Sequence, residues 1–357
     1  MKEYQIAVIG GDGIGPEVTR EAMKVLDAAG EVYGFKSRRS EYPFGTEHYL
    51  KTKEIFPEQA FSEVRGHDAI YLGAIGDPRA PVGMIEFGII AKLRFELDLY
   101  VNLRPIKLYD ERLCPLKGKT PADIDMVICR ENTEGAYSGS YGYTHKGLEN
   151  EVATQVMVHT RPAVERIIRY AFELSRKRNK KKTVTLIDKA NALRSQDIWT
   201  RVFADVAKDF PDIKTEHAYI DAACMWMVKN PEWFDVGVCE NLFGDIITDL
   251  GAMIQGGMGI AASGNIHPGR VSLFEPIHGS APKYAGKNVA CPVAAILATG
   301  MMLDYLGEKQ AGARIEDIVI DLVRSRRIKG VNTGDHPTDE IGAMVVDELR
   351  KVPVRVG

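Results

Sequence analysis

A chain of 357 residues, 45% apolar and 27% charged, has the make-up of a globular protein and is long enough for two hydrophobic cores. Its 46 basic and 49 acidic residues are mixed along the chain, giving a formal net charge of −3. That balance leaves no electrostatic footprint for nucleic acid or an anionic membrane. The five cysteines, at 114, 129, 224, 239 and 291, are odd in number and contain no CxxC pair, which argues against a disulfide framework or a zinc site.

Met1-Lys2-Glu3 leads straight into the apolar run 6–9, with no secretory leader, so a cytoplasmic setting is expected. Short apolar runs at 5–9, 69–72, 126–129, 183–187, 218–220 and 236–239 read as strands. Longer segments such as 16–29 and 161–175 have helical period. The alternation predicts an α/β protein with much parallel sheet. The stretch 289–303, interrupted by Pro292 and Gly300, is too short to cross a bilayer and reads as a buried helix.

Taken in order, the first motif is Gly10-Gly11-Asp12-Gly13-Ile14-Gly15-Pro16-Glu17, between a strand and a helix. It fails the dinucleotide fingerprint because Pro16 stands at the last glycine position. Pro16 suits the first turn of a helix, so the loop is a tight structural turn or a site-lining loop. Arg94 and Arg104 flank a strand-like segment, 97–103, and Arg130 ends the run 126–129. Each is a salt-bridge partner or a bidentate clamp for a carboxylate. The basic run 176–182 reads as a solvated helix end, with polyanion binding as the alternative.

Lys189, in Asp188-Lys189-Ala190-Asn191, follows another strand, where neighbouring cations could fit it for proton transfer. Asp245 and Asp249 stand four apart near the start of a helix and so share a face. They are either capping and solvated or joined by a hard cation, with Asp221, at the end of the run 218–221, as a third oxygen donor. His278, in Glu275-Pro276-Ile277-His278-Gly279-Ser280-Ala281-Pro282, is structural or part of a backbone nest for phosphate. Segments 263–290 and 328–337, rich in Gly, Pro and polar residues, read as binding loops.

Together these segments resemble the β-decarboxylating dehydrogenase family, which includes isopropylmalate, isocitrate, homoisocitrate and D-malate/tartrate dehydrogenases. The likeness runs from GGDGIGPE at 10–17 to NTGDHPTDE at 332–340. It is sharpest in Asn102-Leu103-Arg104-Pro105, in 130–137 (RENTEGAY), in 188–191 (DKAN), in 241–249 and in 278–282 (HGSAP).

The resemblance implies a two-domain α/β fold rather than a Rossmann fold. A large cofactor-binding domain would combine 1–100 with 255–357, and a smaller domain, 101–254, would be inserted between them. It further implies a homodimer joined through the smaller domains, with Lys189 and Asp221 reaching into the partner's site. Arg94, Arg104 and Arg130 would bind the carboxylates of a small-molecule substrate, and Mg2+ or Mn2+ would lie on Asp221, Asp245 and Asp249. Lys189 would accept the hydroxyl proton and Tyr137 would protonate the enol. His278, Gly279, Ser280, Ala281, Lys283, Tyr284, Cys291, Asn191 and Glu275 would hold the dinucleotide.

The residues expected around the substrate's C3 substituent, Phe87, Ile90, Ala91 and Ala192, carry no charge. They would leave a third carboxylate unpartnered, which favours isopropylmalate, then D-malate or tartrate, over homoisocitrate and isocitrate. Phe87 itself departs from the Glu usual in isopropylmalate members and matches the aromatic of D-malate/tartrate members. Lys283-Tyr284 replaces the Asp-Ile of NAD-dependent members, and Cys291-Pro292 replaces Asn-Pro. NAD is expected, with NADP as the alternative. A metal-dependent phosphohydrolase and a non-catalytic scaffold are the rival readings from other classes.

Overall fold

The computed structural model describes residues 2–351. The strands in chain order are β1 (Lys2–Gly11), β2 (Phe35–Tyr42), β3 (Ala69–Ala74), β4 (Val101–Lys107), β5 (Asp125–Glu131), β6 (Tyr141–Thr144), β7 (Val152–Gln155), β8 (Thr183–Asp188), β9 (Lys214–Tyr219), β10 (Val236–Cys239), β11 (Ala262–Ile266) and β12 (Ser272–Pro276). The chain divides into two compact units. One comprises Met1–Leu99, Lys107–Pro121 and Ala252–Gly357; the other comprises Tyr100–Ile106 and Ala122–Gly251. Met1 and residues 352–357, expected in the large domain, lie outside the described residues.

The first unit carries strands in the order β2-β1-β3-β12-β11. β1 runs parallel to β2 and β3, β12 runs parallel to β3, and β11 is antiparallel to β12. The helix Gly15–Tyr33 starts with Pro16 in its first turn, where the missing N–H has no bond to lose, and ends at Gly34 in the left-handed region. The helix Val293–Tyr305 is apolar on all sides and correspondingly buried. Ile296, Met302 and Leu303 have no exposure, and each buried side chain of this size contributes about 1.5–3 kcal/mol. Lys107–Pro121 is tied to this unit by Lys107 Nζ and Tyr109 Oη on Glu316, at 2.9 and 3.0 Å.

The second unit carries the order β4-β5-β10-β8-β9. β5, β10, β8 and β9 all run parallel. The helix Arg161–Arg178 is capped by Thr160, whose hydroxyl accepts from Ala163 N, and ends at Asn179 in the left-handed region. The basic run that follows is ion-paired rather than simply solvated. Arg176 meets Asp212, Arg178 meets Asp125 and Asp235, and Lys180 meets Asp125.

Several boundaries differ from the sequence reading. The strand expected at 97–103 is β4, which begins at Val101, so Arg104 lies within a strand and Arg94 belongs to the helix Lys92–Glu96. The run 218–221 splits between the exposed strand β9 and the helix Ile220–Lys229, with Asp221 in the first helical turn. Segment 263–290 is not all loop, because it contains the wholly buried strands β11 and β12. Among the described residues no helix is long and apolar enough to cross a membrane.

Candidate active site

In the second unit, three parallel strands end side by side, each beside a buried acid. In a parallel sheet the carboxyl ends of the strands open onto the ligand-binding side. Arg130 of β5 pairs with Cys239 of β10, which also pairs with Ile187 of β8. Glu131 takes Thr133 N, Thr133 Oγ1 and Glu134 N at 2.6–2.9 Å. Glu240 takes Leu242 N and Phe243 N at 3.0 and 2.8 Å and so caps the helix Asn241–Ile254. Asp188 takes Ala190 N at 3.1 Å. Each acid fixes the turn that follows its strand, and those turns lead to the reactive side chains. Burial pushes the Glu131 and Glu240 carboxyls above the ordinary range, against the N–H bonds that favour their charged forms.

Strands β4 and β5, the segment after β5 and the helix Asn241–Ile254 bring Arg104, Arg130, Tyr137, Asp245 and Asp249 together. Asp245 Oδ1 lies 2.5 Å from Arg130 Nη1 and 3.8 Å from Arg104 Nη2, and Asp249 lies 3.6 Å from Arg104 Nη1. Arg130 also donates Nε and Nη2 to Asn241 Oδ1 at 3.0 and 2.7 Å. Arg104 donates to Asn102 and Thr248, each at 2.7 Å. Tyr137 donates its hydroxyl to Asp245 Oδ2 at 3.0 Å. The Arg130 and Arg104 side chains are 3% and 6% exposed, whereas Asp245 and Asp249 are 40% and 53% exposed, so the acids face outward over buried cations. Burial, then the Asp245 charge, pushes the Tyr137 phenol up and keeps its proton on. Asp249 is pushed up by burial and the Asp245 charge, against the pull of Arg104 and Arg130.

A pair of exposed carboxylates on one helical face, at least one carrying a repulsive penalty, suits a hard divalent cation. Among the described residues, however, no three His, Cys, Asp or Glu side chains group as a metal site. Asp221 pairs instead with Lys189, Nζ to Oδ1 at 2.7 Å, and that bond holds the Asp221 carboxyl below its ordinary value. Asn191 and Ala192, on the turn after Lys189, are exposed.

The remaining expected residues belong to the first unit. Arg94 donates Nη2 to Glu275 Oε1 at 3.0 Å, while its buried Nε has no partner. Glu275 also accepts from Asn265 Nδ2 at 2.7 Å. Phe87, Ile90 and Ala91 lie on a single π-turn, Phe87–Ala91, with Phe87 60% exposed. Such turns widen a helix and recur at functional sites.

The 278–284 loop is held from below by the glycine turn. Ile14 N donates to Ser280 O at 2.7 Å, and a Cβ on Gly13 would sit 1.9 Å from that oxygen. The 10–17 loop is therefore a brace for the second loop. The Ser280 hydroxyl, expected on the dinucleotide, is donated to Gly76 O. Gly279 is exposed, Ala281 is left-handed, and Lys283 Nζ stands 4.7 Å from the Tyr284 ring. His278 is pushed down by burial, and its Nε2 has no partner. Cys291 is buried, with its thiol pushed up to about 12.

The bracing acids Glu131 and Glu240 and the hub Asp12 escaped the sequence reading. Asp12 takes Thr46 N, Thr46 Oγ1 and Gly76 N at 2.7–3.0 Å. The available signal was an acid at the end of an apolar run, directly after it at Asp188 and Glu240 and one residue later at Glu131.

A family model for isocitrate/isopropylmalate dehydrogenase matches residues 5–345. The chain is 49% identical to a 3-isopropylmalate dehydrogenase of Mycobacterium avium, over 97% of this chain and 100% of the relative. It is 45% identical to the enzyme of that name from Thermobifida fusca, over 97% and 99%. Among solved structures, an isocitrate dehydrogenase from Methylococcus capsulatus aligns with a TM-score of 0.88 at 34% identity, covering 98% of this chain and 100% of that one. A β-decarboxylating dehydrogenase from Thermococcus kodakarensis aligns at 0.77 and 35%, covering 97% and 96%. An α/β core in two units, parallel strand ends carrying arginines and paired aspartates, and a match along almost the whole sequence agree: the chain belongs to the isocitrate/isopropylmalate dehydrogenase family of β-decarboxylating oxidoreductases.

Proposed function

We propose that the chain oxidises and decarboxylates an (R)-2-hydroxy acid bearing a second carboxylate, with NAD+ as the preferred coenzyme and Mg2+ or Mn2+ as cofactor. The favoured substrate is 3-isopropylmalate, which would yield 4-methyl-2-oxopentanoate and CO2. The observation that carries this reading is the constellation of two buried arginines, two outward aspartates and one protonated phenol. Arg104 and Arg130 bind the substrate carboxylates by exchanging their contacts with Asp245 and Asp249. Lys189 Nζ, which like Asp221 would come from a second copy of the chain, accepts the proton of the 2-hydroxyl. Tyr137 Oη, held protonated by burial, gives a proton to carbon after CO2 leaves.

Asp245 and Asp249 would hold the cation, with Asp221 supplied by a second copy of the chain. When bound, the cation favours ionisation of the hydroxyl and stabilises enolate charge, and the nicotinamide accepts hydride. A homodimer is supported by apolar surface on two helices of the second unit. Met225 and Val228 on Ile220–Lys229, and Ile246 and Met253 on Asn241–Ile254, are 45–67% exposed. The neutral imidazole of His278 and the open backbone at Gly279 would receive the dinucleotide.

The test is a panel of isopropylmalate, D-malate, tartrate, isocitrate and homoisocitrate, each with NAD+ and NADP+. An isopropyl group buried against Phe87, Ile90 and Ala91 of the first unit is worth roughly 2 kcal/mol, about thirtyfold in kcat/KM over D-malate. A higher kcat/KM for D-malate would overturn the substrate assignment. Phe87→Ala reports on the same point, lowering isopropylmalate turnover if the ring is a wall and raising it if the ring fills the pocket.

A further inference from the structure

The first unit also has an acid directly after a strand, and this one reaches across to the neighbouring strands. Asp12 follows β1, which lies between β2 and β3, and β12 lies beyond β3. All four strands run parallel, so their carboxyl ends open on one edge of the sheet. Asp12 is buried, and its carboxylate accepts three hydrogen bonds. Oδ1 takes Thr46 N at 2.7 Å, while Oδ2 takes Thr46 Oγ1 at 3.0 Å and Gly76 N at 2.9 Å. Thr46 follows the turn after β2, and Gly76 lies in the turn after β3.

The line continues to the fourth strand. Ser280, in the loop after β12, donates its hydroxyl to Gly76 O, and its carbonyl accepts Ile14 N at 2.7 Å. Asp12 anchors the Ile14 side as well, since its N–H donates to Ala74 O at 2.7 Å and its carbonyl accepts Gly15 N at 2.9 Å. Ser280 is therefore held at two atoms, and both holds lead back to Asp12. Asp12, Thr46 and Ser280 are all buried, where a lost partner is not replaced by water. A carboxylate suits the position because each of its oxygens faces a backbone N–H. An amide there would turn its NH2 donor toward one of them, whichever way it was flipped.

We propose that Asp12 is a positioning residue for the coenzyme loop, setting Ser280, and with it the open backbone at Gly279, through Gly76 and Ile14. Asp12 acts only through the loop, an inference that rests on the reading that the 278–284 loop receives the dinucleotide.

The experiment titrates the full chain with NADH by fluorescence and measures kcat for isopropylmalate at saturating NAD+. The variants are Asp12→Asn, Thr46→Ala, Ser280→Ala, the double variant Asp12→Asn/Ser280→Ala and Gly279→Leu. Asp12→Asn is expected to raise the NADH Kd about tenfold, the scale of one buried hydrogen bond to a charged group, while kcat falls less than about threefold. Thr46→Ala removes a buried hydrogen bond from the same carboxylate but leaves the path to Ser280 whole, so its Kd should stay within about twofold of wild type. Ser280→Ala should also weaken binding, and the double variant should lose less than the product of the two single changes, because both cut one path. If Asp12→Asn does not fold, Ser280→Ala set against Thr46→Ala carries the test. A wild-type Kd in Asp12→Asn or, in its place, in Ser280→Ala overturns the positioning role. An equal loss in Thr46→Ala, or fully multiplicative losses in the double variant, does the same. Gly279→Leu adds a side chain where a Cβ meets no neighbour, so it obstructs the loop without crowding the fold. An unchanged NADH Kd in that variant overturns instead the reading of the loop as the coenzyme site.

Discussion

The charged groups of the second unit and the 278–284 loop of the first are prepared for binding in opposite ways. Arg104, Arg130, Asp245, Asp249 and Tyr137 already answer one another's charges and donors. In the loop, His278 Nε2 has no partner, and a Cβ on Gly279 would meet nothing within 4 Å. A ligand of the first group must exchange partners, which rewards a ligand bringing both anionic carboxylates for the arginines and a cation for the aspartates. A ligand of the loop adds to open backbone and needs only shape. On the proposed reading, exchange of charged partners is asked of ligands in the second unit, whereas the loop contributes placement.

Lys189→Ala should break the chemistry most, lowering kcat for both oxidation and 2-keto acid reduction by about 10²–10⁴-fold. Tyr137→Phe should separate the two steps, cutting the overall reaction by more than about tenfold while sparing 2-keto acid reduction. Equal losses in both assays would refute that division. Asp245→Asn removes the charge shared by Arg130 and the cation, so the Mn2+ concentration for half-activity should rise by at least about tenfold. Dinucleotide binding, measured by fluorescence of the reduced coenzyme, should hardly change.

Gly13→Ala addresses the loop side. At φ +58 and with a Cβ 1.9 Å from Ser280 O, alanine is strained in itself and pushes the 278–282 loop. The left-handed backbone costs about 1–2 kcal/mol, and the coenzyme KM should rise with kcat less affected. Glu240→Gln has the smallest effect on chemistry. It turns an accepting oxygen toward a backbone N–H as a donor, costing about 1–3 kcal/mol in denaturant unfolding. If Glu240→Gln unfolded at the wild-type midpoint, Glu240 would not be a brace.

Much of this arrangement is legible in the sequence where burial and chemistry coincide. β5, β8 and β10 are buried on both faces, and candidate site residues lie at or just after the end of each. β9, KTEHAY, is an exposed edge strand whose pairing comes from β8 rather than from its own pattern. β11 and β12 look like loops because Ser263, Asn265, Ser272 and Glu275 are polar, yet all four are buried. Asn265 on Glu275, and Ser272 on the His267 and Arg270 carbonyls, are polar contacts made internally. The close approach of Gly13 to Ser280 depends on a contact distant in sequence, which no local pattern encodes.

The central claim is that outward aspartates over buried arginines perform a cation-dependent oxidative decarboxylation. Its most direct measurement follows reduced nicotinamide and CO2 together from isopropylmalate and NAD+, first with Mn2+, then in excess EDTA, then with Mn2+ restored. Equal amounts of the two products with Mn2+, loss of both in EDTA and recovery of both on restoration are expected. Full turnover in EDTA, or reduced nicotinamide without CO2, would contradict it.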